Sequence, residues 1–393
     1  MIDIVLLLIM LGYAVSGFRQ GLLVGALSLG GFVGGALLAM FVAPALVGRL
    51  EPGPQRSIVV LLAVIITAWL GQFIGALLGG RLRELVPKGP IAYADHAAGA
   101  VAGLVAVALV LWFVALAVRG GPSPELSRTV ASSKVIQAIN KVVPSRLNSV
   151  ANTFREAVGS TTFPRVFAGV GPEDILPVQA PDPNLLSTAA VTKARRSVVK
   201  ITGEAVSCGR GQEGSGSVVA PQHVITNAHV VAGVSHPFVQ VGGVGHRYQA
   251  YVVAFDSRRD LAVLWVPQLR VKPLALAGDL GRNDSAVVAG YPNDGPFHAS
   301  AARVRSIIRA SGEDIYGSPG TIRSVYSLYV TVKPGNSGGP VLDPKGELVG
   351  VVFARSLDDN NTGYALTMDE ARSTILAGAA KTTPVSSGGC ASG

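Results

Sequence analysis

The chain changes character near residue 120. Before it, four apolar stretches follow one another, residues 2–15, 22–46, 58–78 and 97–118, separated by short polar turns. The last three are long enough to cross a hydrocarbon core of about 30 Å, which takes about 20 helical residues. The first is shorter and needs Gly17 and Phe18 to extend it. From residue 197 onward the apolar runs shorten. They are rich in Val, Ile, Tyr and Phe, and Gly, Pro, Asn or Asp interrupts them every eight to twelve residues, as in 217–220, 238–241, 248–255, 261–266, 286–290, 324–332 and 348–354. That rhythm predicts an all-β sandwich or barrel rather than βαβ units. The pattern therefore divides the chain into a four-helix transmembrane domain (1–119), a linker (120–184) and a β domain (185–393).

Several features refine the membrane half. The N-terminus carries only the charge of Asp3, whereas a removable signal peptide carries positive charge before its apolar core, so the run is expected to stay as a helix. Arg19 lies between the first and second helices, and Arg81, Arg83 and Lys88 between the third and fourth; the intervening loop has Arg49 and Arg56. The bias favours the first and third loops as cytoplasmic, which puts the N-terminus and the β domain outside. Glycines recur at helix-contact spacing: Gly21/Gly25, Gly30/Gly34, Gly71/Gly75/Gly79 and Gly99/Gly103. Gln72 is the only strongly polar side chain deep in a span, and Asp95 and His96 sit at the expected start of the fourth helix, so anchoring is favoured over transport. In the linker, Val135, Ile136, Ile139, Val142 and Val143 follow a helical period that Pro144 interrupts, which suits a helix on the membrane surface or over the β domain. Pro172, Pro177, Pro181 and Pro183 then mark an extended tether, a candidate for self-cleavage.

The candidate chemistry lies in the β half. Gly335-Asn336-Ser337-Gly338-Gly339-Pro340 reads as a serine nucleophile in a glycine-rich turn. A serine hydroxyl needs an adjacent base and backbone donors aimed at the developing oxyanion. Here the N–H groups of Gly335 and Ser337 would serve, since Pro334 has none. No histidine follows Ser337, which excludes the nucleophile elbow of α/β-hydrolases and leaves the order His…Asp…Ser. His229, at the end of the apolar run Val224-Ile225-Thr226-Asn227-Ala228-His229, is the expected base; His223, His236, His246 and His298 stand among loop residues. Asp260, immediately before Leu261-Ala262-Val263-Leu264, is the expected orienting carboxylate and is preferred over Asp256 in its polar turn.

The segments TNAHVVAG, RRDLAVL and GNSGGP together resemble those of trypsin-like serine proteases, nearest the bacterial HtrA type, over about half the chain. The resemblance implies a chymotrypsin-like double β-barrel with the triad between the barrels, His229 as general base, Asp260 as its orienter and Ser337 as the acylated nucleophile. It also places Thr331, six positions before the serine, at the base of the pocket for the residue preceding the scissile bond, with Phe353 narrowing one wall. Thr331 is uncharged, so an apolar residue is expected there rather than Lys or Arg. The sequence departs from HtrA in running only a little past residue 376, so a PDZ domain is not expected in it. The N-terminal segment 3–44, with Gly17-Phe18-Arg19-Gln20-Gly21, and Asp95-His96-Ala97-Ala98-Gly99 resemble the colicin V production family. The combination is similar to the membrane-anchored acid-resistance serine proteases of mycobacteria and related actinobacteria. It implies a periplasmic or extracytoplasmic endopeptidase acting on cell-envelope proteins in acid or oxidative stress.

Cys208 and Cys390 are the two cysteines and are expected to pair outside the cytoplasm. No Cys/His spacing suggests a metal, and no cofactor is expected. The net charge of +9 is dispersed without basic blocks, which disfavours nucleic acid and leaves the lipid bilayer and protein or peptide substrates as expected partners. The alternative is a catalytically silent protease fold that serves as a sensor or binding module.

Overall fold

The computed structural model describes residues 2–47, 54–83, 91–119, 124–143, 166–167 and 171–391. The chain forms two compact units, residues 1–160 with 169–172, and residues 161–168 with 173–393.

The described residues of the first unit form four long helices, α1 (Ile2–Gln20), α2 (Leu22–Val47), α3 (Pro54–Arg83) and α4 (Ile91–Arg119). Each contains a stretch long and apolar enough to cross a membrane. Glycine sets how closely they pack. A Cβ on Gly71 would lie 2.1 Å from the Gly31 carbonyl oxygen, and one on Gly35 would lie 2.1 Å from that of Thr67, so α2 and α3 approach at backbone distance. Gly17 and Gly99 do the same for α1 and α4. The expected pair Gly30/Gly34 is displaced by one residue: both have open space beside them, and Gly31 and Gly35 face α3 instead. In a doubled glycine repeat, spacing alone does not say which member meets the neighbour. Helix α4 begins before Ala97 and takes Asp95 and His96 into its first turns. The Asp95 carboxylate accepts the Leu22 N–H at 2.9 Å, which satisfies an orphan donor where α2 restarts after Gly21 (φ +84°). Two amphipathic helices, α5 (Pro124–Ala131) and α6 (Lys134–Val142), complete the unit. Ile136 and Ile139 are buried with Leu6, Trp112, Ala115 and Leu116, so α6 packs on the membrane helices.

The described residues of the second unit form thirteen strands, of which the site uses β1 (Val198–Ala205), β2 (Arg210–Ala220), β3 (His223–Thr226), β7 (Leu261–Trp265), β8 (Ser285–Gly290), β9 (His298–Glu313), β10 (Pro319–Tyr329), β11 (Pro340–Leu342), β12 (Leu348–Arg355) and β13 (Thr362–Thr367). β8 to β13 close into a six-stranded antiparallel barrel. The others form a seven-stranded sheet whose two edge strands, β5 (Arg247–Gln249) and β6 (Tyr251–Asp256), are successive in the chain and separated only by Ala250. A sheet whose edges are joined by one residue has to curl back on itself. The expected first barrel is therefore a curled sheet with one strand broken at Ala250, whose N–H bonds the Pro237 carbonyl instead of a ladder partner. Each half has its own apolar core, and a third core lies between them, with Ile225, Val253, Leu261 and Val263 meeting Val325, Val351, Phe353 and Tyr364.

Cys208 and Cys390 form a disulfide, with Cα atoms 5.7 Å apart. The C-terminal segment is also hydrogen bonded, through Val385 N–H to Val252 and Arg210 to Ala391. The expected linker boundary at 184 moves upstream, because residues 173–180 are bound to the β unit. Arg305, Arg282 and Arg303 donate to the carbonyls of Leu176, Pro177 and Ala180, and the half-buried Glu173 carboxylate accepts from Tyr364 Oη at 2.9 Å and Leu357 N–H at 3.1 Å. Prolines keep this stretch extended, and the arginines of the barrel hold it down. The linker's 144–165 portion lies outside the described residues.

Candidate active site

His229 and Asp260 are brought together by two elements of the first sheet. β3 ends at Thr226, and the short helix α8 (Ala228–Val231; α7 is Ala189–Ala194) carries His229 at its second position. β7 pairs with β3 in antiparallel register, Thr226 opposite Ala262, which sets the residues just before β7 beside that helix. Asp260 is fully buried. Its carboxylate binds His229 twice, at Nδ1 (2.8 Å) and at the backbone N–H (2.9 Å). With Nδ1 donating to a carboxylate, the ring's other nitrogen is left as the basic one.

Asp260 takes the left-handed conformation, φ +59°. A non-glycine residue there costs about 1–3 kcal/mol and needs support from its surroundings. Asn227 Nδ2 supplies part of it, donating to the Asp260 carbonyl at 2.8 Å. Arg323 supplies more. It is 2 % exposed, donates through Nε to the Arg258 carbonyl at 2.7 Å, and places its cation near Asp260. Burial holds its guanidinium below the usual arginine range, against the pull of Asp260, Asp314 and Glu370. Asp256 plays a separate part, its Oδ1 accepting the N–H groups of Arg258 and Arg259 and so closing the turn that leads to Asp260.

Ser337 lies in the loop between β10 and β11, 3 % exposed. Every carbonyl from Lys333 to Ser337 has a partner. Asn336 N–H bonds Lys333 O (3.0 Å), and Asn293 N–H bonds Pro334 O (2.7 Å). Ser215 Oγ bonds Gly335 O (2.6 Å), Gly339 N–H bonds Asn336 O (3.0 Å), and Ser215 N–H bonds Ser337 O (2.8 Å). Proline second and glycine third at φ +87° make Lys333 to Asn336 a type II turn. In a trans peptide, C=O and N–H point opposite ways. With Pro334 O and Asn336 O turned to their donors, the N–H groups of Gly335 and Ser337 are turned away from them, and among the described residues neither has an acceptor. Gly338 is required at φ +81°: a Cβ there would lie 2.2 Å from both Ser215 O and Thr226 Oγ1.

The same crowding brings the nucleophile loop against the histidine segment. A Gly338 Cβ would lie 3.0 Å from Asn227 N, and a Gly214 Cβ would lie 3.0 Å from Ser337 O and 2.7 Å from the Val230 methyls. Among the described residues no hydrogen bond joins Ser337 Oγ to His229 Nε2; such contacts are often long in unliganded enzymes and tighten with substrate.

The two expected pocket residues separate. Thr331 is exposed, with its hydroxyl 3.3 Å from Asn361 Oδ1. Phe353 has no exposed surface and packs in the core between the two halves, under the Arg323 guanidinium. It cannot line an opening for substrate, because its side chain points inward from β12. Ser215, Asn227, Asn293 and Arg323 were not among the expected site residues. Their signal is tertiary: each acts through hydrogen bonds to segments distant in sequence.

A family model described as a trypsin-like peptidase domain matches residues 214–351, and one described as Colicin V production protein matches residues 2–144. The chain is 35% identical over 394 residues to the serine protease Rv3671c of Mycobacterium tuberculosis, across 100% of this chain and 98% of that protein. The crystal structure of the Rv3671c protease in its active form superposes with a TM-score of 0.54 at 40% identity, covering 58% of this chain and 100% of that one. The putative serine protease HhoA of Synechocystis is 31% identical over 174 residues, 42% of this chain and 43% of its own.

Proposed function

The chain belongs to the family of Rv3671c, membrane-anchored trypsin-like serine proteases with a Colicin V production N-terminal domain, and on that footing we propose that this endopeptidase works through an acyl-enzyme on Ser337. The observation that carries the reading is the set of pinned carbonyls around Ser337. It frees two N–H groups for the oxyanion, in a loop packed against the segment whose histidine is already bound to a buried carboxylate.

In this mechanism Ser337 Oγ attacks the peptide carbonyl as His229 Nε2 takes its proton. The oxyanion receives the Gly335 and Ser337 N–H groups, and Asp260 stabilises the imidazolium without itself being protonated. His229 then gives the proton to the leaving amine. Water repeats the sequence on the ester and returns Ser337. Thr331 at the pocket base, uncharged and exposed, favours an apolar residue before the scissile bond. The four spans anchor the enzyme in the plasma membrane, and the basic residues of the first and third loops support a protease unit on the extracytoplasmic side. The Cys208–Cys390 disulfide fits that compartment. Cell-envelope proteins are then the substrates in reach, with acid or oxidative stress as the setting. Self-cleavage in the linker is expected N-terminal to Glu173, since 173–180 is held by the β unit.

The test is hydrolysis of an unfolded protein by the purified full chain in detergent, against Ser337→Ala. We expect cleavage only by the wild type, mainly after apolar residues, with S337A also remaining full length in membranes. Absence of cleavage by a folded wild-type chain would leave a silent binding module; cleavage mainly after Arg would overturn the pocket assignment.

A further inference from the structure

One side chain from the first sheet holds the nucleophile loop of the barrel. Ser215, on β2, is fully buried. Its Oγ accepts the Tyr291 N–H at 2.9 Å and donates to the Gly335 carbonyl at 2.6 Å. Its own N–H donates to Ser337 O at 2.8 Å, and its carbonyl accepts from Thr226 Oγ1 at 2.7 Å. A hydroxyl has one proton, so accepting from Tyr291 leaves that proton for Gly335. Its position is also fixed by packing, since a Cβ on Gly290 would lie 2.6 Å from Ser215 Oγ.

Gly335 is where the loop is easiest to deform. It has no Cβ, and a type II turn turns into a type I turn when its central peptide rotates, which takes the third residue from φ near +80° to about −90°. That rotation would turn the Pro334 carbonyl, rather than the Gly335 N–H, to the Ser337 side. One bond opposes it directly, Asn293 N–H on Pro334 O; a second, Ser215 Oγ on Gly335 O, holds the following peptide and so fixes the far side of the residue about which the central peptide must turn. The first is itself held from the opposite half. Asn293 and Asp294 are both left-handed (φ +53° and +54°), and Lys200 on β1 pairs with the Asp294 carboxylate at 2.6 Å.

We propose that Ser215 is a positioning residue for peptide hydrolysis, its hydroxyl fixing the Gly335 carbonyl and with it the residue about which the Pro334–Gly335 peptide would turn, so that the Gly335 N–H stays aimed at the oxyanion. This rests on the reading of Ser337 as nucleophile and deepens it. Ser215 never meets substrate; it acts through Gly335. Its loss should therefore weaken transition-state binding and leave ground-state binding alone.

The experiment compares the full-length wild type with Ser215→Ala in detergent, with active sites titrated. Three quantities are read: kcat per active site and KM for a fluorogenic peptide, Ki for a peptide boronic acid that forms a tetrahedral adduct, and Kd for the matching product peptide. Removing a direct oxyanion donor costs about 100- to 1,000-fold in kcat, so loosening one indirectly should cost roughly 10- to 100-fold. We expect kcat to fall by that factor, Ki for the boronate to rise with it, and KM and product Kd to stay within about twofold. A merely structural hydroxyl would lower the melting temperature and the active fraction while kcat per site and the boronate Ki held, and that result overturns the proposal. So does a kcat loss without a boronate loss. If Ser215→Ala fails to fold, Ser215→Cys, a weaker donor of similar shape, should show the same two changes at smaller size, and their absence in it overturns the proposal equally. A wild type that hydrolyses nothing overturns the nucleophile reading and this proposal together, whereas an active wild type beside an unimpaired S215A overturns Ser215 alone.

Discussion

Asp260→Asn is the sharpest probe of the catalytic geometry, because the substitution keeps the side chain's shape and replaces one carboxylate oxygen with an NH2 donor. Asparagine tolerates the left-handed conformation as aspartate does, so the strained backbone at φ +59° is not the variable. The carboxylate accepts two N–H groups of His229, one at each oxygen. A carboxamide accepts at one atom and donates at the other. The backbone N–H of His229 is always a donor and takes the amide oxygen. The amide NH2 then faces Nδ1, which must become the acceptor, and the ring proton moves to Nε2. That is the nitrogen meant to receive the Ser337 proton. By this tautomer inversion kcat should fall by about 10⁴-fold, the magnitude known for such a swap in a serine-protease triad. At about 1.36 kcal/mol per decade this is roughly 5.5 kcal/mol of transition-state stabilisation. The assay is steady-state hydrolysis of a fluorogenic peptide by the full chain, with melting temperature as the control for folding. A folded Asp260→Asn enzyme within tenfold of wild type would refute the assignment of Asp260 as orienter.

Gly71→Leu should disrupt the membrane unit, since a Cβ at Gly71 would lie 2.1 Å from the Gly31 carbonyl oxygen; the full chain in detergent should lose disulfide cross-linking between cysteine pairs placed on α2 and α3. Cys390→Ser should lower the stability of the β unit by about 2–5 kcal/mol in denaturant titration, because the bridge closes 182 residues; reductant should have the same effect on the wild type and none on the variant. Burial, the largest influence, holds the Glu173 carboxyl above its ordinary value. An acid raised on folding favours the folded state as pH falls, so wild-type stability should gain a component between neutral pH and the ordinary glutamate range. Glu173→Gln should lack that component, and parallel melting curves for the two from pH 7 to 4 would contradict it.

The division into apolar spans and short strands was legible because each obeys a period that water or lipid imposes on the chain. The pairing of His229 with Asp260 was legible because each sits in a local segment with its own chemistry, and the lack of a histidine after Ser337 excluded the α/β-hydrolase elbow. What stayed hidden depends on pairings between distant segments. Nothing near Ser215 signals that its hydroxyl will reach Gly335, 120 residues away. Arg323 gives no hint that it will be buried beneath the turn that carries Asp260. Phe353 follows an alternation that fits a pocket wall or a core equally, and only the packing of the two halves directs it inward. The stretch 173–184 reads as a free tether because its prolines exclude helix and sheet; the arginines that bind it lie more than a hundred residues downstream.

The central claim is that Ser337 is a nucleophile made reactive by its surroundings, and a fluorophosphonate tests that most directly. Such reagents capture a serine only where a base and an oxyanion site activate it. Intact-protein and peptide mass spectrometry of the full-length chain should find one phosphonyl adduct per molecule, on Ser337, absent from Ser337→Ala and strongly slowed in His229→Ala. No adduct on a folded wild-type chain, or an adduct on another serine that persists in Ser337→Ala, would contradict it.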